Sequence, residues 1–252
     1  MNIDNYYMHR GSVREFTQQE VNDSLIRRIL TAAMHAPTTG NMQLYSVVVT
    51  RDKTRKSELE KCHFCQPASV NAPVLLTFCA DWNRFVRWCE ISDATAGFDN
   101  LQSMMSAFFD ATILAQQFCT IAEQQGLGTC YLGTTTYNAP DIARLLSLSD
   151  RVIPLLTVAL GWPANPVFPS ERLPVDAILH SEQYREDSDD DIRCQYSEID
   201  NNPANKKFID ENGKQTLAQV FTDVRYPRSS NEASSNVLAE YLAPKIGKDL
   251  IS

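Results

Sequence analysis

Long apolar runs are missing from this 252-residue sequence. The nearest approach to one, Phe98 to Gln125, is broken by Asp99, Gln102, Asp110, Gln116, Gln117 and Glu123, polar groups that a lipid-facing helix does not carry. That argues against a membrane partner. No apolar leader follows Met1-Asn2-Ile3-Asp4, so no secretory signal is expected. Regular cysteine spacing is missing too. The seven cysteines are odd in number and scattered, which argues against a disulfide framework and for a reduced, cytoplasmic setting. Basic charge is in the minority, 23 Lys and Arg against 31 Asp and Glu, giving a net charge of −8. A chain of that sign repels polyanions on average, so nucleic acid is not an expected partner.

Several catalytic and binding signatures are absent as well. With only 9 glycines, the chain contains no Gly-x-Gly-x-x-Gly fingerprint, and Gly126 and Gly128 follow a helical pattern rather than precede one, which disfavours a dinucleotide fold. There is no Walker loop, no Gly-x-Ser-x-Gly elbow and no His-Glu-x-x-His. Cys62-His63-Phe64-Cys65 is a single thiol pair without a second one, and the four histidines are dispersed, so no metal site is expected. The acidic excess is concentrated. Residues 182 to 200 carry six of the eight surplus negative charges, leaving the rest near neutral and free to form a locally positive pocket.

What the sequence does contain is material for a large core: 43% hydrophobic, 9% aromatic and only 21% charged residues. Thr17-Gln18-Gln19-Glu20 reads as a capping box, and Leu25, Ile26, Ile29, Leu30 and Ala33 then recur at helical spacing, predicting a helix over about 18 to 35. Strands are predicted at 44–50, 73–80, 129–134 and 153–160 from their β-branched or apolar runs, and short helices at 53–61 and 139–147. Residues 98 to 125 place apolar side chains at three- and four-residue intervals around more than one stripe. This predicts a long, largely enclosed helix whose Met and Phe positions belong to the core or to a subunit interface. Gly126-Leu127-Gly128 ends it through a left-handed cap. Helices alternate with few strands, which suits mixed α/β or α+β layers. A soft boundary is placed near 180, between a core of 1–180 and an acidic connector with a helical arm at 181–252, all within one domain.

Three constellations carry chemistry. Arg10, Ser12 and Arg14 alternate in a Gly-interrupted segment, so an extended backbone turns two cationic forks and a hydroxyl to one face, a cradle for a small anion; alone, the pattern also fits a solvated strand. Thr38, Thr39, Asn41 and Gln43 lie in the loop between the first helix and first strand, where amides can meet the polar edge of a planar ring; an ordinary turn is the other reading. Tyr131, Leu132 and Gly133 follow the glycine-rich helix end, where backbone can approach a ligand closely.

Together the pieces resemble the nitroreductase family of FMN-dependent oxidoreductases, in its branch of larger NADPH nitroreductases and flavin reductases. The resemblance rests on Arg10-Gly11-Ser12-Val13-Arg14-Glu15-Phe16, Pro37 to Gln43, Phe78 to Arg84, Gly126 to Gly133, and Leu160-Gly161-Trp162-Pro163-Ala164 with Arg172-Leu173-Pro174. It implies an antiparallel-rich central sheet flanked by helices with a C-terminal extension. It further implies FMN as cofactor, NADPH or NADH as hydride donor, a small-molecule electron acceptor such as a nitroaromatic, a quinone or free flavin, and a homodimer. By the same resemblance Arg10, Gly11, Ser12 and Arg14 hold the flavin phosphate and ribityl chain. Thr38, Thr39, Asn41 and Gln43 meet the ring, usually from the partner subunit. Gln66 lies near the flavin, Tyr131, Leu132 and Gly133 cover it, and Arg172 supplies a basic group. No catalytic side chain is expected, because the cofactor carries the reaction. An FMN-storing or redox-sensing protein with little turnover is the other reading. Two departures stand out: Gly11, where the family often has a second basic residue, and Ser170, where this branch commonly has lysine.

Overall fold

A computed structural model describes residues 6–97 and 99–245; the absent leader at Met1–Asp4 and the helix start at Phe98 lie outside the described residues. Packing divides the chain into two compact units, Met1–Phe168 with Ser234–Ser252, and Pro169–Ala233.

The first unit is built on a four-stranded antiparallel sheet: β1 (Tyr45–Thr50), β2 (Val74–Asp81), β3 (Gly128–Leu132) and β4 (Val152–Gly161), ordered β1-β2-β4-β3. Every residue of β2 is buried, so this strand is covered on both faces, and its largely apolar sequence, with Thr77 and Asp81 the polar members, follows from that. Alternation decides which side chain faces which layer. Val74, Leu76 and Phe78 of β2 join Leu156, Val158 and Leu160 of β4 against one set of helices, α1 (Asp23–Ala33) and α5 (Leu101–Gln124). Leu75 and Ala159 face the other set, α2 (Lys53–Cys62), α3 (Pro67–Asn71) and α6 (Ala139–Leu145), through Leu59, Ala68 and Ile142. Phe78 and Phe118 pack with ring centroids 5.6 Å apart.

The long helix α5 runs about 36 Å at 1.5 Å per residue. It starts at an Asn100 cap that accepts the Ser103 N–H and ends where Gly126 takes φ +85° and Leu127 N bonds Ala122 O, the left-handed cap its sequence predicts. Ala107, Ala111, Leu114, Ala115, Phe118 and Ala122 are buried, but Leu101, Phe109 and Ile113 leave an exposed apolar stripe. No helix among the described residues is long and apolar enough to cross a membrane.

Helix α1 corrects the expected start. Its cap is Asn22, whose side chain accepts the Leu25 N–H, not Thr17. Thr17 N is instead held by Trp162 O, and Phe16 bridges Pro163, so tertiary pairing of the N-terminal segment overrides the local capping box. Two helices went unread in the core, α3 and α4 (Asn83–Ile91).

The second unit corrects the expected connector. Ser188 and Asp191 form a reciprocal capping box, and Asp189, Asp190 and Asp191 fill the first turn of α7 (Asp189–Asn201), where negative charge favours a helix N-terminus. Five of the eight acidic residues in 182–200 thus belong to a helix. After it come α8 (Pro203–Glu211) and α9 (Leu217–Val220), then α10 (Arg228–Leu242), which spans residues of both units.

Candidate functional site

The N-terminal segment lies along the sheet end where β3 begins. Val13 N donates to Thr129 O, and Ala164 N to Glu15 O. Gly11 and Val13 are buried while Ser12 and Arg14 are exposed, the alternation expected of an extended strand. A Cβ on Gly128 would meet Val13 at 2.6 Å, so glycine is required for this close approach. Arg10 is half-buried and paired with Glu123 of α5, Nε to Oε2 at 3.1 Å and Nη2 to Oε1 at 2.9 Å. Burial raises the Cys130 thiol pKa, and the charges of Arg14 and Arg10 pull against that rise.

Further along β3, Tyr131 is exposed, Leu132 buried and Gly133 exposed. Gln66 caps α3, and its turn is tied to the end of β3 through its neighbours: His63 Nδ1 lies 2.9 Å from Thr134 Oγ1, and Asn138 Nδ2 donates to Cys62 O at 2.6 Å. His63 is fully buried, and burial pushes its pKa down to about 4. From Gly128 to Gly133 the strand offers a track of about 16 Å, with cations at one end and open backbone at the other.

The loop at 38–43 is a strained turn. Gly40, Asn41 and Gln43 all take left-handed φ, near +55°, a conformation that costs non-glycine residues of order 1 kcal/mol. What holds it is Asp110, 1% exposed, whose two carboxylate oxygens accept Thr39 N at 2.7 Å and Leu44 N at 3.1 Å. The side chains of Asn41 and Gln43 are left at the surface, with Gln43 Nε2 3.4 Å from Asn41 Oδ1.

The cradle Arg10, Ser12 and Arg14, the β3 end at Tyr131, Leu132 and Gly133, and the Gln66 turn are therefore gathered around β3. The loop of Thr38, Thr39, Asn41 and Gln43 is not, because it precedes β1, at the opposite edge of the sheet. Its anchor Asp110 and the Arg10 partner Glu123 are about 20 Å apart along α5. Arg172 belongs to the second unit, where its Nη1 donates to Ser170 O and Glu171 O. Asp110, Glu123 and His63 escape a motif reading. The first two register only as polar breaks in an apolar helix, although a buried carboxylate must find donors and that requirement was the available signal.

The chain as a whole is similar to known proteins. The model of the nitroreductase family covers residues 7–162. The chain belongs to the nitroreductase family. It is 32% identical over 226 residues to an FMN reductase [NAD(P)H] of Bacillus subtilis, covering 87% of this chain and 90% of that protein. It is 30% identical over 190 residues to an oxygen-insensitive NADPH nitroreductase of Salmonella typhimurium, covering 75% and 77%. A solved structure from Bacteroides fragilis superposes with a TM-score of 0.91 at 44% identity over 95% of this chain and 97% of that one.

Within this nitroreductase-family chain the Gly11 departure has a steric cause. A Cβ there would lie 2.3 Å from Phe168 O and 2.7 Å from Val167, so a basic side chain has no room while that backbone packs against it. Gly11→Ala is expected to lower stability by about 1–3 kcal/mol, read as a lower urea midpoint at unchanged slope; an unchanged midpoint contradicts the packing argument. In the second unit Arg225 stacks over Phe208 and Phe221, at 5.1 and 5.5 Å, and Arg228 pairs with Glu232.

Proposed function

We propose that this nitroreductase-family chain is an FMN-dependent NAD(P)H oxidoreductase that reduces flat acceptors, among them nitroaromatics, quinones and free flavin, as a cytoplasmic homodimer. One observation carries the reading: the two halves of the candidate site, cationic cradle and amide-bearing loop, lie at opposite edges of one sheet. Within one chain neither half lies at the other's edge of the sheet. A second copy whose loop meets the first copy's β3 resolves this, and the exposed stripe of Leu101, Phe109 and Ile113 on α5 supplies the apolar face such an interface needs.

The residues suit the cofactor. Arg14, Ser12 and the unused edge of Arg10 offer donors to a phosphate, the β3 track accommodates an elongated molecule, and the Asn41, Gln43 and Gln66 amides match the mixed donor and acceptor edge of a flavin ring. Once bound, FMN supplies the two-electron chemistry, taking hydride from NAD(P)H and passing both electrons to the acceptor. The protein's part is to bind, orient and tune. The backbone at Leu132 and Gly133 would cover the ring, and Tyr131 presents an exposed aromatic face to an incoming flat molecule. The names of the relatives, NADPH nitroreductase and FMN reductase [NAD(P)H], support NADPH as donor.

The purified chain should be yellow, release FMN on denaturation, bleach rapidly with NADPH and recover its colour with a nitroaromatic, a quinone or free flavin. A colourless chain that takes up no FMN overturns the reading, and bleaching without acceptor-driven recovery favours a storage role. Mixing tests the shared site. Arg14→Ala and Asn41→Ala homodimers should both be impaired, while mixed dimers regain one intact site from one cradle and the other copy's loop. Mixtures no better than the parents would exclude a site built across two copies.

A further inference from the structure

Glu123 lies outside every motif of the resemblance, yet it organises the cradle. Its side chain is 10% exposed, and the carboxylate accepts four hydrogen bonds: Arg10 Nε at 3.1 Å, Arg10 Nη2 at 2.9 Å, Tyr6 Oη at 2.9 Å and Thr129 Oγ1 at 2.5 Å. Tyr6 Oη also reaches Thr120 O at 3.1 Å, and Thr129 belongs to β3. The carboxylate is therefore fixed by the N-terminal segment, by β3 and by its own helix. Such complete pairing satisfies the hydrogen-bonding capacity of a buried carboxylate.

The fork fixes the guanidinium plane. A guanidinium has five N–H donors in rigid geometry, and Glu123 takes two of them from one edge. The remaining three lie on the other edges, and no partner for Nη1 is present among the described residues. Arg10 lines a cavity of about 250 Å³ together with Gly11, Val13, Gly126, Gly128 and Val167. A long flexible cation held in this way loses less freedom when an anion arrives.

We propose that Glu123 is a positioning residue for FMN, holding Arg10 so that its unpaired edge meets the flavin phosphate, a proposal that rests on the reading of the cradle given above. The opposite account, that Glu123 cancels the Arg10 charge, differs in sign. Positioning makes phosphate binding weaker when the carboxylate is lost, and cancellation makes it stronger.

FMN and riboflavin differ only in the phosphate, so titrating the full-length chain with each isolates the effect. Glu123→Gln keeps the shape but breaks the two-oxygen fork. It should raise the Kd for FMN about tenfold and leave that for riboflavin within about twofold. Thr129→Val, which removes one donor from Glu123 and keeps the carboxylate, should move the FMN value in the same direction by less. In an Arg10→Met background Glu123→Gln should add nothing, because its effect passes through Arg10. Equal weakening of both flavins assigns Glu123 a merely structural role, and tighter FMN binding assigns it charge cancellation; either overturns the proposal. Should Glu123→Gln fail to fold, an unchanged FMN-to-riboflavin ratio in Thr129→Val does the same. A wild-type chain that takes up neither flavin overturns the cradle reading as well, whereas unaltered discrimination in variants of a flavin-binding chain overturns this proposal alone.

Discussion

Replacing Asp110 by alanine is expected to remove about 3–5 kcal/mol of stability, since two backbone N–H groups each lose a bond to a charged acceptor. Thr39 N and Leu44 N both end on this carboxylate, which is 1% exposed on a helix packed into the core. Water cannot replace it easily at Leu44, whose side chain is also 1% exposed. The consequence reaches the ligand. Without the anchor, the left-handed backbone at Asn41 and Gln43 keeps only the Met42 N–Thr39 O and Tyr45 N–Gln43 O bonds of the turn and relaxes, withdrawing the two amides proposed to meet the flavin ring. FMN affinity should therefore fall together with the urea midpoint. Asp110→Asn keeps one acceptor and turns an NH2 group toward the other N–H, so its loss of stability should be smaller than that of alanine but of the same sign. A stability change below about 1 kcal/mol for Asp110→Ala would mean that the loop is held by something else.

How much of this was legible follows from what kind of interaction decides each element. The four strands and the long helix announce themselves because burial imposes a period: Leu76 and Phe78 face one layer, Leu75 the other, and the α5 small and apolar residues recur every three or four positions. The first helix was placed too early because Thr17 offers a good local cap, whereas the choice between Thr17 and Asn22 is made by Trp162 O, 145 residues away in the chain. Such pairing has no local signature. The acidic helix α7 was hidden for a different reason, since charge density reads as a solvated connector unless the Ser188–Asp191 box is weighed first. At the site, side chains that would touch a ligand carry motif signals, as Arg10, Ser12, Arg14 and the loop amides do. The residues that hold those side chains do not. Asp110, Glu123 and His63 act through distant backbone and side-chain partners, so only the folded chain brings their role into view.

His63 makes a second large effect, this one in acid. Burial alone drives its pKa from 6.5 to about 4, because a charged imidazole would sit desolvated among apolar side chains with only Thr134 Oγ1 beside Nδ1 and no partner for Nε2. The sign follows from which state binds the proton. Above pH 6.5 neither the folded nor the unfolded chain protonates this residue, and His63 contributes no pH dependence. Between 6.5 and about 4 the unfolded chain takes up a proton that the folded chain refuses, so stability falls with falling pH; below about 4 both are protonated and the loss levels off. A gap of about 2.5 pH units corresponds to a total of about 3 kcal/mol. Urea midpoints measured from pH 7.5 down to 4.5 should therefore decline more steeply for the wild type than for His63→Asn, which retains a polar group near Thr134 but does not titrate. Whatever the substitution costs in packing is constant with pH and drops out of the comparison of slopes. Parallel profiles for the two proteins would mean that His63 binds its proton equally well in the folded and unfolded chain, which contradicts the burial argument. The same bridge joins the Gln66 turn to the end of β3, so the wild type should begin to lose FMN affinity over this interval too, ahead of global unfolding, if the His63–Thr134 contact is the first to open.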